Sequence, residues 1–251
     1  MNMKDARGHG TDARKNSPAS ERVIVALDCS EEEAGRLAGI LAGRARWLKV
    51  GMTLYYEAGP RVVASLKDQG FSVFVDLKLH DIPHQVRGAT ASIARAGADM
   101  LTVHGAGGPH MLQAAVEGAQ QVCGPSRPAP LVVAVTVLTS MDAQMLAQAG
   151  VVASLDEQVV RLARLAQDAG LAGVVASARE ARALRLSLGD DAVIVTPGVR
   201  PATALLPSDD QARTATPAAA FADGASHIVI GRPVTAADDV AAAFDALTAT
   251  L

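Results

Sequence analysis

Four charged side chains, Asp28, Lys49, Asp76 and Lys78, each stand at the end of a short β-branched run in the first third of a 251-residue chain. Asp76 and Lys78 are two apart. In a strand they project to one side, while Val73, Val75, Leu77 and Leu79 project to the other. Charges on one face and aliphatics on the opposite face, with helices to cover the aliphatics, suit the interior of a barrel. An isolated ammonium or carboxylate there loses several kcal/mol of hydration, whereas an alternating Lys-Asp-Lys-Asp array keeps every member ionised. Such an array is either an ion-pair network that satisfies itself or a set of prearranged charges for chemistry in a water-poor pocket. Four charges at neighbouring strand ends favour the second.

The elements that must position these groups are legible from the hydrophobic period. From Glu21 onward, β-branched runs alternate with Ala/Leu-rich stretches of helical period, which is the pattern of consecutive βαβ units. Eight strands are predicted: Arg22–Leu27, Trp47–Val50, Ser72–Lys78, Met100–His104, Leu131–Val137, Gly173–Ala176, Ala192–Thr196 and His227–Ile230. Ser30 with Glu33 and Ser177 with Glu180 read as capping boxes, and Gly70, Gly97, Gly170 and Gly224 read as helix stops before strands. An open doubly wound sheet normally carries a glycine-rich fingerprint after its first strand. Here that strand ends in Leu27-Asp28-Cys29-Ser30, so the closed (β/α)8 barrel, an α/β fold, is expected. Its active sites lie where strands run into βα loops, which is where the four charges fall.

Length and composition agree with one such domain over residues 21–251, preceded by a tail over 1–20 that is polar, glycine-containing and expected to be disordered. Hydrophobic residues make up 49% of the chain, enough for a large core. A formal charge of −3 gives no electrostatic reason to bind nucleic acid or an anionic membrane, so a small molecule is the expected partner. No run approaches the roughly 18 apolar residues that span a bilayer, and the tail has no signal-peptide core. A soluble cytoplasmic protein is expected. Cys29 and Cys123 have no disulfide or metal spacing and are expected to be buried thiols. His80, His84 and His104 do not form a metal cluster by spacing alone and read as loop or structural histidines.

The segment Asp76-Leu77-Lys78-Leu79-His80-Asp81-Ile82-Pro83 resembles the DxKxxD signature of the orotidine 5′-monophosphate decarboxylase family, bacterial type. Further similar stretches follow in order: Ala26-Leu27-Asp28, Leu48-Lys49-Val50-Gly51, Thr136-Val137-Leu138-Thr139-Ser140, Thr196-Pro197-Gly198-Val199-Arg200 and Val229-Ile230-Gly231-Arg232. Asp210-Gln211-Ala212-Arg213, followed by Ala215-Thr216-Pro217, is similar to the family's phosphate loop. The likeness spans Val23 to Thr235.

The resemblance implies a cofactor-free, metal-free carboxy-lyase of pyrimidine biosynthesis that converts orotidine 5′-monophosphate to uridine 5′-monophosphate. Lys78 would be the proton donor to C6, within a network of Lys49, Asp76 and Asp81, with Asp81 inserted into the neighbouring subunit of a homodimer. Asp28, Lys49, Ile82 and Gln85 would contribute to substrate binding. Thr139 and Ser140 would contact the pyrimidine amide, with a helix N-cap as their competing role. Arg200, Gln211, Gly231 and Arg232 would hold the phosphate, and the long segment from Arg200 to Pro217 has the length of a functional lid. At one place the chain departs from the family: His84-Gln85 stands where Asn-Thr is common, so Gln85 would have to make the ribose contact through a longer arm. Two rivals remain at this stage. One is a magnesium-dependent sugar-phosphate enzyme of the same superfamily, against which Val50-Gly51-Met52 offers no acidic residue after Lys49. The other is a catalytically silent nucleotide-binding barrel.

Overall fold

The computed structural model describes residues 18–125, 127–200 and 215–251. Residues 1–17 of the tail expected over 1–20, and the greater part of the expected lid segment, Gln211 included, lie outside these. Of the last tail positions, Ala19 and Ser20 begin a 3-10 turn that ends at Glu21.

The described residues alternate strand and helix throughout: β1 (Val23–Leu27), α1 (Glu31–Leu41), β2 (Trp47–Gly51), α2 (Met52–Ala58), α3 (Arg61–Asp68), β3 (Ser72–Leu79), α4 (Pro83–Ala96), β4 (Met100–His104), α5 (Pro109–Gln120), β5 (Leu131–Val135), α6 (Ala143–Gln148), α7 (Leu155–Asp168), β6 (Gly173–Val175), α8 (Ala181–Leu188), β7 (Val193–Pro197), α9 (Pro217–Ala222), β8 (His227–Ile230), α10 (Arg232–Thr235) and α11 (Val240–Thr248). The strands pair in parallel in chain order, and β8 returns to β1 to close the barrel. A closed sheet leaves no unpaired edge, and a strand covered on both faces can be apolar throughout, as Val23–Leu27 is.

Strand alternation divides the core into two layers. Val25, Leu48, Val73, Val75, Leu101 and Ile194 pack outward with the helices. Ile24, Ala26, Trp47, Phe74, Met100, Val133, Val195 and Val229 fill the barrel interior. The interior is a packed core of side chains rather than a channel, and it forms the floor on which the charged residues at the strand ends stand. At Gly173 a Cβ would come within 1.9 Å of the Val193 carbonyl oxygen, so glycine is what lets β6 and β7 approach at that point.

β3 is irregular. Its pairing with β4 runs Phe74 to Met100 and Val75 to Leu101, then resumes at Leu79 to Val103, so Asp76, Leu77 and Lys78 stand opposite Thr102 alone. Within this bulge Lys78 takes a left-handed φ of 51°, a conformation adopted by no other non-glycine residue among those described. For an L-residue that conformation costs about 1–2 kcal/mol. Bulges favour active sites because they re-aim a side chain.

Several expectations need correction. β5 ends at Val135 rather than Val137; the Thr136 amide makes one more bond, to the Val175 carbonyl of the neighbouring β6, before the chain leaves the sheet. Cys123 is exposed and Cys29 only half-buried, since both lie in connections and not in the core layers. Ser30 caps α1 by accepting from the Glu33 amide at 3.3 Å, but the Glu33 carboxylate pairs with Arg36 and the box is half made. Ser177 and Glu180 form a complete capping box, on a short 3-10 turn, and Ser154 with Glu157 forms one at the start of α7 that the sequence reading passed over. Gly70, Gly97, Gly170 and Gly224 all have positive φ, as expected of helix stops.

Candidate active site

Asp28, Lys49, Asp76 and Lys78 meet at one mouth of the barrel: Asp28 just past β1 and Lys78 one residue from the end of β3, but Lys49 in the middle of β2 and Asp76 inside β3 rather than at their strand ends. The Lys49 ammonium donates to Asp28 Oδ1 at 2.7 Å and lies 3.7 Å from Asp76 Oδ2. Lys78 Nζ donates to Asp76 Oδ1 at 2.9 Å. The order in space is therefore Asp28, Lys49, Asp76, Lys78, with signs alternating. The Lys49 side chain is only 9% exposed, and its burial is tolerable because a carboxylate stands on either side. Gly51 makes room for this arrangement, since a Cβ there would come within 2.6 Å of Asp28 Oδ1 and 3.0 Å of Lys49 Nζ.

These four groups line a cavity of about 540 Å³ together with Thr139, Pro197, Gly198, Arg200, Gly231 and Arg232, over a floor that includes Ala26, Phe74, Val175 and Val229. That volume suits a small ligand. Lys49, Lys78, Arg200 and Arg232 outnumber Asp28 and Asp76, so the walls carry net positive charge in a chain whose formal charge is −3. Arg200 comes from the loop after β7, and Arg232 opens α10 just after β8. Arg200 is nearly buried, and its amide donates to the Ala215 carbonyl at 3.0 Å. A guanidinium offers a forked donor set that matches phosphate oxygens.

Thr139 lines the cavity, and Asp142 rather than Thr139 or Ser140 caps α6, so the competing helix-cap role falls away for both. Ser140 is exposed and outside the cavity lining. Asp81, Ile82 and Gln85 are exposed where the chain leaves the barrel. The Asp81 carboxylate accepts from the Ile82 amide at 2.6 Å, so in this single chain it is engaged by its own backbone at the start of α4. Asp81 and Gln85 border a second, smaller cavity of about 370 Å³, with Tyr56 and His80, and Lys78 lies at the boundary between the two. A larger groove of about 920 Å³ follows the outer flank of α7 through Gln158, Arg161 and Leu165, and none of the site residues predicted from sequence borders it. Among the described residues no group of three His, Cys, Asp or Glu is placed to hold a metal ion.

Sequence reasoning, which attended to charges, passed over Phe74 and Thr102 near this site and read His80 and His104 as loop or structural histidines. Phe74 sits on the cavity floor two residues before Asp76, and alternation alone would have placed it there. His80 and His104 stack with ring centroids 5.1 Å apart. His104 Nδ1 accepts weakly from the Ala106 amide at 3.4 Å, while burial, then the neighbouring His80 and Lys78, push this imidazole below its usual range. Thr102, buried in β4, bonds both to Asp76 and to the Lys78 backbone.

The family model for orotidine 5′-phosphate decarboxylase / HUMPS matches residues 21–247. A protein of Moorella thermoacetica named orotidine 5′-phosphate decarboxylase is 49% identical over 236 residues, covering 93% of this chain and 93% of its own length. One of the same name from Cutibacterium acnes is 48% identical over 228 residues, covering 90% and 94%. The crystal structure of orotidine 5′-phosphate decarboxylase from Lactobacillus acidophilus superposes with a TM-score of 0.81 at 37% identity, over 91% of this chain and 98% of that one.

Proposed function

The chain belongs to the orotidine 5′-phosphate decarboxylase / HUMPS family, and from that premise we propose that it removes the carboxyl group of orotidine 5′-monophosphate to give uridine 5′-monophosphate in pyrimidine biosynthesis. The observation that carries the reading is the ladder Asp28, Lys49, Asp76, Lys78 inside a cavity whose other wall holds Arg200 and Arg232.

In the proposed reaction the bond from C6 to the carboxyl carbon breaks, CO2 leaves, and the electron pair stays on C6. Lys78 stabilises that pair with its ammonium and then donates a proton to it. Asp76 stands close to the departing carboxylate, so their repulsion eases as negative charge moves to the ring carbon. Lys49 lies between Asp28 and Asp76 and orients both carboxylates. The donors are in place before the reaction begins, so little reorganisation is needed as charge develops. Arg200, Gly231, Arg232 and, from outside the described residues, Gln211 take the phosphate, whose binding energy is used in the transition state although it lies away from the chemistry. Thr139 and Ser140 address the pyrimidine amide.

The enzyme acts as a homodimer in this reading, with Asp81 entering the partner's site and Ile82 and Gln85 beside it. In support, Met52, Tyr56, Ile82 and Leu138 expose apolar side chains in the segments after β2, β3 and β5, at the same end of the barrel as the cavity. No described helix is long and apolar enough to cross a membrane, and a cytoplasmic location completes the proposal.

The test is the ultraviolet absorbance change on mixing the purified protein with orotidine 5′-monophosphate in the presence of a metal chelator. Conversion to uridine 5′-monophosphate supports the reading. A folded protein that converts none under chelation, yet turns over a sugar phosphate once magnesium is restored, overturns it.

A further inference from the structure

Where β3 bulges, Thr102 does two things with one hydroxyl. The Lys78 amide donates to Thr102 Oγ1 at 2.8 Å, and Thr102 Oγ1 lies 3.0 Å from Asp76 Oδ1. A hydroxyl has a single hydrogen. Because the amide occupies a lone pair, that hydrogen is directed to the carboxylate. Asp76 Oδ1 then accepts from Thr102 on one side and from the Lys78 ammonium on the other, which turns Asp76 Oδ2 toward Lys49. The same contact holds the backbone of Lys78 in its left-handed conformation. Thr102 is 1% exposed and does not border the cavity, so it is placed to act on the reaction only through these two neighbours.

We propose that Thr102 is a positioning residue for the decarboxylation: its hydroxyl sets the aim of the Lys78 proton donor and the rotamer of Asp76 together. This rests on the reading above, in which Lys78 and Asp76 perform the chemistry. Once substrate draws the Lys78 ammonium away from Asp76, the Thr102 hydrogen bond is the one that remains on that oxygen.

The experiment compares Thr102→Val, which keeps the shape without the hydroxyl, with Thr102→Ser, which keeps the hydroxyl without the methyl group. Single-turnover rate, kcat and KM for orotidine 5′-monophosphate are measured alongside a thermal melt. In Thr102→Val the single-turnover rate falls by on the order of 10- to 100-fold, the scale of a lost hydrogen bond to a charged group. KM stays within about threefold, because binding energy from the phosphate is untouched. Thr102→Ser recovers to within about threefold of the unmodified protein. If Thr102→Val does not fold, Thr102→Ala takes its place in the same comparison. A Val or Ala variant whose rate stays within about twofold, a loss confined to KM, or a Ser variant as impaired as Val would each overturn the assignment. An unmodified protein that fails to turn over this substrate would overturn the underlying reading as well, so the two failures are distinguishable.

Discussion

Replacing Asp76 by Asn removes the anion shared by two lysines while keeping its shape. Asp76 lies 2.9 Å from Lys78 Nζ and 3.7 Å from Lys49 Nζ, with a side chain 14% exposed. At an effective dielectric near 20, each pair at such a distance attracts by roughly 4–6 kcal/mol before desolvation is subtracted. Removing one partner of a fully buried pair costs about 3–5 kcal/mol. The cost here falls below that range for three reasons. Lys49 keeps Asp28 at 2.7 Å, the Lys78 side chain is 33% exposed and can turn to water, and the Asn carbonyl can still accept from Thr102. A loss of about 2 kcal/mol is expected, which in a chain of this size lowers the melting temperature by roughly 4–8 °C. Turnover falls further in proportion, by at least about 100-fold, because a proton donor displaced by an ångström is out of place for the reaction. Circular-dichroism melts and initial rates with orotidine 5′-monophosphate measure both. A variant that melts within about 1 °C of the parent and keeps a third of its rate would refute the view that Asp76 organises the two ammonium groups.

Gly51→Ala places a methyl group against the ends of Asp28 and Lys49; since both are movable tips and the φ of −85° suits any residue, the fold survives and the melting temperature shifts little, but kcat/KM drops by about 10-fold or more. Unchanged kinetics would show that the Asp28–Lys49 pair has slack. Lys78→Ala is expected to be inactive yet folded, and Asp81→Ala to be severely impaired. Mixed dimers of the two should regain activity if Asp81 serves the neighbouring site, each hybrid then holding one intact set, and no regain would confine Asp81 to its own chain. His104, held below its usual range by burial, takes up a proton more readily in the unfolded chain. Its contribution to stability is therefore present above the unfolded value near 6.5 and is lost as pH falls toward the lowered folded value. In urea titrations, His104→Asn should flatten the decline in stability below about pH 6.5, and an unaltered slope would exclude His104 as a source of that decline.

The barrel was legible because strand alternation and helical period are local properties. Ile24 and Ala26 inward, Val23, Val25 and Leu27 outward, follow from a period of two, and all eight predicted strands lie within two residues of those observed. Strand ends were the weakest part: the apolar run continues to Val137, but β5 stops at Val135, after which only the Thr136 amide still bonds to Val175 of the neighbouring β6. The convergence of Asp28, Lys49, Asp76 and Lys78 was legible because each charge interrupts an apolar run at its end. The bulge at Lys78 was not, since nothing in the residues Asp76-Leu77-Lys78 demands a left-handed lysine and the cause lies in the pairing with β4. Thr102 was overlooked because an uncharged residue in a buried strand gives no alarm. Its inward position in β4, beside the charged pair of β3, was the available sign.

The left-handed lysine also divides one short peptide between two environments. In an unbroken strand, residue 80 would follow 76 and 78 toward the interior. The reversal at Lys78 ends that succession, so His80 and Asp81 emerge at the rim although they lie only two and three residues further on. The octapeptide from Asp76 to Pro83 thereby acts as a hinge plate of fixed span, fastening the enclosed charges at one end and the outward-facing surface at the other. Its length is therefore constrained independently of the side chains it carries. One residue inserted between Lys78 and Asp81 would leave the enclosed charges where they are and set the rim out of register with anything that docks there.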